Sequence, residues 1–228
     1  MHNLFNENGN LSDISINDRR KAVIENPGLT SWFIQKRMSI FMKIVVSKLM
    51  SVKDFWYRYE WQHRGSGHVH GFLWLENAPN VDELNLNDPD VQQLLCDFHD
   101  TYTCTNNPAP GLQAGHNHPC QDLYSNCEDL NSDYAELVNR VQLHTKCSKD
   151  YCLGVNRKTK KLQCRFGFPK DLRDKTIIQV DNGRPELLTA RNDPLVNSHN
   201  KSLLQAWRAN MDIKPVISSE FVVRYDLH

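Results

Sequence analysis

The chain has 228 residues and a mass of 26.5 kDa, enough for one large domain or two small ones. Hydrophobic residues make up 39% and charged residues 24%, with a mean hydropathy of −0.60, and Lys43, Lys48 and Lys53 break the best apolar stretch well short of a membrane span. The net charge of zero is a sum of +4 over residues 1–64, −12 over 65–139 and +8 over 140–228, so a polyanion is drawn to both ends and repelled by the middle.

Residues 1–18 are Asn-rich and polar, without the basic-then-apolar pattern of a secretion signal, so they read as a tail on an intracellular, non-membrane chain. A helical pattern follows from Asp18 to about Met50, broken near Asn26-Pro27-Gly28. Trp32, Phe33, Met38, Phe41, Met42, Val45 and Leu49 recur at helix spacing, and Lys36, Arg37 and Lys43 mark a wet face. The period then changes to two. From Phe55 to Gln62 the odd positions are all aromatic and the even ones are Trp56, Arg58, Glu60 and Gln62. From His68 to Leu75 the odd positions are Val69, Gly71, Leu73 and Leu75, and both histidines are even. Two strands joined through Arg64-Gly65-Ser66-Gly67 are predicted. Burying both odd faces pairs Gln62 with His70 and Arg64 with His68 around a Gly65-Ser66-Gly67 loop. Glu60, Gln62, His68 and His70 then share the opposite face.

Residues 77–139 read as an acidic insertion with helices around Val91–Thr101 and Ser132–Leu143. A basic, cysteine-bearing loop spans about 140–175. Short strands are predicted over Thr176–Val180 and Glu186–Ala190, with a turn at Asn192-Asp193-Pro194 and a helix around Lys201–Asn210. A further strand candidate covers Asp212–Ile217, and Ser218 to His228 reads as a capped helix.

Three groups carry chemistry. The first is His68-Val69-His70 with Glu60 and Gln62. Two imidazoles one residue apart on a strand project the same way, and a carboxylate or amide from the neighbouring strand completes three ligands. Such a set leaves positions on a divalent ion open to a phosphate oxygen. The plainer reading is a solvated sheet face that happens to carry two histidines. The second is His144-x2-Cys147-x4-Cys152-x11-Cys164, three thiolates and an imidazole suited to structural zinc. Its plainer reading is a set of ordinary reduced cysteines. Seven cysteines, an odd number clustered near histidines, fit a reducing compartment better than a disulfide framework. A looser group, Cys96, His99, Cys104, His116, His118, Cys120 and Cys127, has irregular spacing and reads as a polar surface loop, with a second zinc as the alternative. The third group is basic: Arg157, Lys158, Lys160, Lys161, Arg165 and Lys170, continued by Arg173 and Lys175. Such a run is usually a solvated loop, but it also suits a phosphate track for single-stranded DNA. Phe72 and Trp74 share the histidine face, where they can stack bases or lie under a helix. Arg157-Lys158-Thr159-Lys160-Lys161 has the composition of a nuclear-import cluster.

The run YRYEWQHRGSGHVHGFLWL resembles the metal-binding segment of the HUH endonucleases, most closely the replication-initiator-type (Rep) domain of Helitron transposases. RRKAVIENPGL, HTKCSKDYCL, QCRFGFPK and RNDPLVNSHNKSLLQAWRANMDIKPV are similar to further signatures of that family, in its order. The resemblance spans most of the chain from Arg19 onward, except the acidic segment. It implies nicking and rejoining of single-stranded DNA, with Mg²⁺ or Mn²⁺ at the His-x-His site and a 5′-phosphotyrosine intermediate. By position His68 and His70 become metal ligands, with Gln62 or Glu60 as the third and Gln62 preferred by the strand pairing above. The implied nucleophile is Tyr225. Its alternative role is packing against Phe221, His228 stands where the family carries a lysine, and the second tyrosine position falls past the last residue, so a truncated end is expected. In a eukaryote the resemblance implies a nuclear protein. No G-x-x-x-x-G-K-[ST] loop occurs, so this chain contains no helicase motor.

The expected architecture is an α/β domain over 19–228, a central, mainly antiparallel sheet with helices on one face, the metal site on the other and a zinc loop appended. Two rivals to the nuclease remain: a non-catalytic DNA-binding remnant, and a zinc-stabilised interaction module whose acidic insertion meets a basic partner.

Overall fold

The computed structural model describes residues 15–61, 67–115, 129–149, 151–156, 159–181 and 184–217, and the chain divides into two compact units, 1–78 and 79–228. Among the described residues no helix is long and apolar enough to cross a membrane.

The first unit begins with α1 (Ile16–Glu25), capped by the Ser15 hydroxyl on the Asp18 amide, and α2 (Pro27–Ile40). Pro27 has no N–H to give to the Val23 carbonyl, so the helix breaks there. The hydroxyl of buried Thr30 donates to that carbonyl instead, at 3.4 Å. The helix continues through a π-helical stretch, Phe41–Val46, into the single turn α3 (Ser47–Leu49). Met42, Val46 and Met50, four residues apart, form its buried stripe. The apolar set expected to face the core is thus only partly right, since Trp32 and Leu49 are more than half exposed. Leu49 follows the π segment, whose wider turn rotates the inward face.

Strands β1 (Val52–Trp61) and β2 (Gly67–Leu75) pair antiparallel, with Trp61 opposite Gly67, Glu60 opposite His68 and Arg58 opposite His70. The expected pairing of Gln62 with His70 and Arg64 with His68 is therefore corrected. Gly67 belongs to the strand, and the connection runs from 62 to 66. Packing explains this placement: a Cβ at Gly67 would collide with the Ile34 side chain of α2, so this glycine serves a close helix–strand contact rather than a turn. The correction moves each partner by four residues, an even number, so every side chain keeps its predicted face.

The second unit contains α4 (Pro89–Tyr102), α5 (Leu130–Leu137) with a π-helical extension Val138–Gln142, and α6 (Lys201–Trp207). Its strands are β3 (Leu153–Val155) with β4 (Leu162–Cys164), and β5 (Ile177–Asp181) with β6 (Arg184–Leu188). Tyr134, Leu137, Val138, Val196 and Leu204 make one core, and Leu95, Cys96 and Ile178 join α4 to β5 in another.

Helices and antiparallel pairing agree with the expected class, but the central sheet is a correction: the described strands form three separate two-stranded sheets. The strand candidate Asp212–Ile217 is also corrected, because it has no strand conformation. Its approach is captured by a side chain instead. The carboxamide of fully buried Gln142 accepts from the Met211 N–H at 2.9 Å and donates to the Met211 carbonyl at 3.0 Å, and Ile213 N–H donates to the Ser198 carbonyl. Backbone groups satisfied this way do not need a ladder. The helix expected over 218–228 lies outside the described residues.

Candidate functional site

The even face of the β1–β2 hairpin carries Glu60, His68 and His70 together, as the alternation requires. The two imidazole centroids are 4.5 Å apart, inclined at 58°. Glu60 Oε2 lies 3.0 Å from His70 Nε2, and Glu60 Oε1 accepts from Arg58 Nη2 at 2.9 Å and Nε at 3.1 Å. Both carboxylate oxygens are thus engaged, in pairs exposed enough to add little stability. Arg58 was not among the predicted site residues, although its even position in the alternation already placed it on this face. Aromatic rings continue the face along the strands: Trp56 stacks on Phe72 at 6.1 Å, and Phe72 neighbours Trp74 at 6.2 Å. Tyr57 and Tyr59 belong to the opposite face. Partial burial and the neighbouring Tyr57 push the Tyr59 hydroxyl up to about 12, which leaves it protonated at neutral pH. Gln62 and Tyr225 lie outside the described residues.

The zinc-type cluster forms in the second unit. One donor atom each from His144, Cys147, Cys152 and Cys164 lies within 4.8 Å of the others, and this is the one such group of three or more His, Cys, Asp or Glu among the described residues. His144 Nε2 is 3.1 Å from Cys147 Sγ and 3.4 Å from Cys164 Sγ. A zinc tetrahedron with arms of about 2.3 Å needs donor separations of about 3.8 Å, so the set fits the ion with small adjustments. Each donor has a structural origin. A backbone pairing of His144 N–H with the Leu195 carbonyl holds the histidine, and its ring stacks on Phe168 at 4.6 Å. The Ser148 carbonyl accepts from the amides of Tyr151, Cys152 and Leu153, a tight turn that brings Cys152 back toward Cys147. The β3–β4 pairing sets Leu153 opposite Cys164, so Cys152 and Cys164 converge at the strand ends.

Electrostatics agree with thiolate ligation. Burial raises the Cys164 thiol, but hydrogen bonds from the Phe168 and Phe166 N–H groups and from the Cys147 and Cys152 thiols act against it, and the net shift is downward. Desolvation and hydrogen bonding to Cys152 and Cys164 push Cys147 up to about 11. Without a cation, a second thiolate beside the first is costly, and a divalent ion relieves that cost. The cluster is compatible with structural zinc, and Cys152, Cys164 and Phe168 form a small core around it.

The looser cysteine–histidine group disperses. Cys96 and His99 are buried on the inner face of α4, which corrects the surface-loop reading for these two. Their spacing of three residues lines them up along a helix. Desolvation lowers His99 to about 4, so it is neutral at pH 7. Cys104 is half-buried beside Tyr134, whose hydroxyl is 2.8 Å from His199 Nε2. His116, His118, Cys120 and Cys127 lie outside the described residues. Of the basic residues, Lys160, Lys161, Arg165 and Lys170 are exposed, and Arg157 and Lys158 lie outside the described residues. Desolvation, with Arg191 and Lys214 nearby, lowers Lys170.

No curated protein and no solved structure matches this chain. Over residues 5–73, just under a third of its length, the chain is similar to the family described as the Helitron helicase-like domain at the N-terminus, and that stretch includes Glu60, His68 and His70.

Proposed function

We propose that the chain is a Rep-type HUH endonuclease domain with a transposase-associated role, nicking and rejoining single-stranded DNA in Helitron-type rolling-circle transposition. The observation that carries this reading is the coincidence of the Helitron similarity with a hairpin whose one face collects Glu60, His68 and His70. His68 and His70 would hold Mg²⁺ or Mn²⁺, with Gln62 or Glu60 as the third ligand. The contact of Glu60 Oε2 with His70 Nε2, at 3.0 Å, supports Glu60 as a candidate for that position. When bound, the ion supplies charge withdrawal at the scissile phosphate. Arg58 adds positive charge on the same face, where a phosphate can replace the Glu60 carboxylate as its partner. Tyr225 would attack through its hydroxyl, forming the phosphotyrosine bond as the 3′-hydroxyl leaves. The basic residues of the zinc loop would track the backbone of the strand, and the location is nuclear in a eukaryote.

A second reading, a DNA-binding remnant without cleavage, draws support from the same carboxylate, because Arg58 and His70 already occupy both Glu60 oxygens. Incubation of labelled single-stranded oligonucleotides with Mn²⁺ or Mg²⁺, read on a denaturing gel, separates the two. The nuclease reading expects a covalent protein–DNA band that disappears in Tyr225→Phe and in His68→Ala/His70→Ala. Cleavage that survives Tyr225→Phe moves the nucleophile elsewhere. DNA binding without cleavage of any strand leaves the remnant.

A further inference from the structure

We infer that the zinc loop carries a separate base-stacking site for single-stranded nucleic acid, formed by Tyr151, Arg165 and Phe166. These residues flank the zinc-type donors: Tyr151 directly precedes Cys152, and Arg165 and Phe166 directly follow Cys164. The backbone ties the two segments together, with Arg165 N–H donating to the Cys152 carbonyl at 2.7 Å. The Phe166-Gly167-Phe168 run then divides its rings. Gly167 adopts a φ of +73°, which a residue with a Cβ rarely does, and its N–H returns to the Cys164 carbonyl. Phe168 is buried against His144, whereas Phe166 is 40% exposed. Tyr151 is 45% exposed, and its ring lies 5.8 Å from that of Phe166. The Arg165 guanidinium carbon sits 4.7 Å from the Phe166 centroid and 5.4 Å from that of Tyr151.

Two partly exposed rings, inclined at 50° to each other with a guanidinium over both, form an aromatic, cationic surface. Its setting selects the partner by charge: residues 140–170 carry nine Lys/Arg against Asp150 alone. Such a field disfavours an apolar or basic partner. An acidic peptide satisfies the charge but makes no use of the rings, whereas unpaired bases stack on them while phosphates meet Lys160, Lys161 and Lys170. This inference does not depend on the nicking reading, because the site lies outside the hairpin and needs no tyrosine nucleophile.

The test is fluorescence anisotropy of the zinc-loaded full chain with a labelled oligothymidylate of about 15 nucleotides, without Mg²⁺ or Mn²⁺. Tyr151→Ala and Phe166→Ala should each weaken binding roughly 5- to 100-fold, and Tyr151→Phe should leave it nearly unchanged. His68→Ala/His70→Ala should retain this contribution, so loss of cleavage and loss of stacking are separable. Bromodeoxyuridine photocrosslinking of the unaltered protein should place adducts on Tyr151 or Phe166. Equal affinity in both alanine variants, adducts only elsewhere, equal binding of a duplex, or competition by polyglutamate as effective as that by the oligonucleotide would overturn the inference.

Discussion

Asp133 and Arg208 pair across α5 and the end of α6, with Arg208 Nη1 2.6 Å from Asp133 Oδ1 and both side chains only 8% exposed. Arg208 holds φ at +61°, a left-handed conformation that is costly for a residue with a Cβ. Its side chain and backbone are therefore committed to one geometry, and Gln205 adds a further donor to the other Asp133 oxygen at 3.3 Å. Removing one partner from a buried pair leaves an uncompensated charge. Arg208→Ala should lower the unfolding free energy by about 3–5 kcal/mol in urea titrations, and Asp133→Asn/Arg208→Gln should recover part of it. His199 is constrained in a different way. Its Nδ1 lies 2.9 Å from the Asn197 carbonyl, which can only accept, so Nδ1 carries the proton and Nε2 accepts from Tyr134.

The zinc loop is the element least able to hold itself. Strands β3 and β4 have three residues each, and Val155 and Leu162 on them are more than half exposed. A hairpin this short does not persist in water unaided. Its order is expected to depend on the metal, as in other small zinc-held loops. Chelation, or Cys152→Ser, should accelerate amide exchange across residues 151–170 while the Leu137–Leu204 core keeps its protection. Zinc affinity should rise with pH, because the Cys147 thiol, pushed up to about 11, must lose its proton on ligation.

At the scale of the whole molecule, buried histidines make stability depend on pH. Desolvation lowers His99 to about 4 and also lowers His199, so both are neutral when folded at pH 7. In the unfolded chain they titrate near 6.5. Between about 4 and 6.5 the unfolded state therefore binds more protons, and stability falls as pH drops through that window. The slope contributed by His99 approaches about 1.4 kcal/mol per pH unit at its steepest. Denaturant titrations at pH 7 and pH 5 should show this loss, and His99→Gln should flatten it. Charge segregation also belongs to this scale. It makes the basic zinc loop and the acidic stretch before it parts of one chain with opposite responses to a polyanion.

What the sequence determined by itself was local. Strand alternation put Glu60, His68 and His70 on one face in any pairing that keeps the two odd faces together, because period two survives any even slip. Short spacing predicted the zinc-type donors, since a few residues of chain cannot carry His144, Cys147 and Cys152 far apart. Helices α1 and α2 were readable from apolar spacing with the break at Asn26-Pro27-Gly28, and α4 was expected around Val91–Thr101. Tertiary structure decided the rest. Gly67 sits in β2 against Ile34, from a helix more than thirty residues earlier, a contact that the hairpin sequence alone does not reveal. The chain entering Asp212–Ile217 is held at Met211 by Gln142, 69 residues earlier, and Ile213 N–H goes to the Ser198 carbonyl rather than to a strand partner. Cys96 and His99 gave no sign that they would be buried, Cys96 against Ile178 of β5, since ligand-like and core-like spacings coincide on one helix face. Each of these outcomes turned on which distant group satisfied a given backbone bond or filled a given contact, and that is settled only when the chain closes on itself.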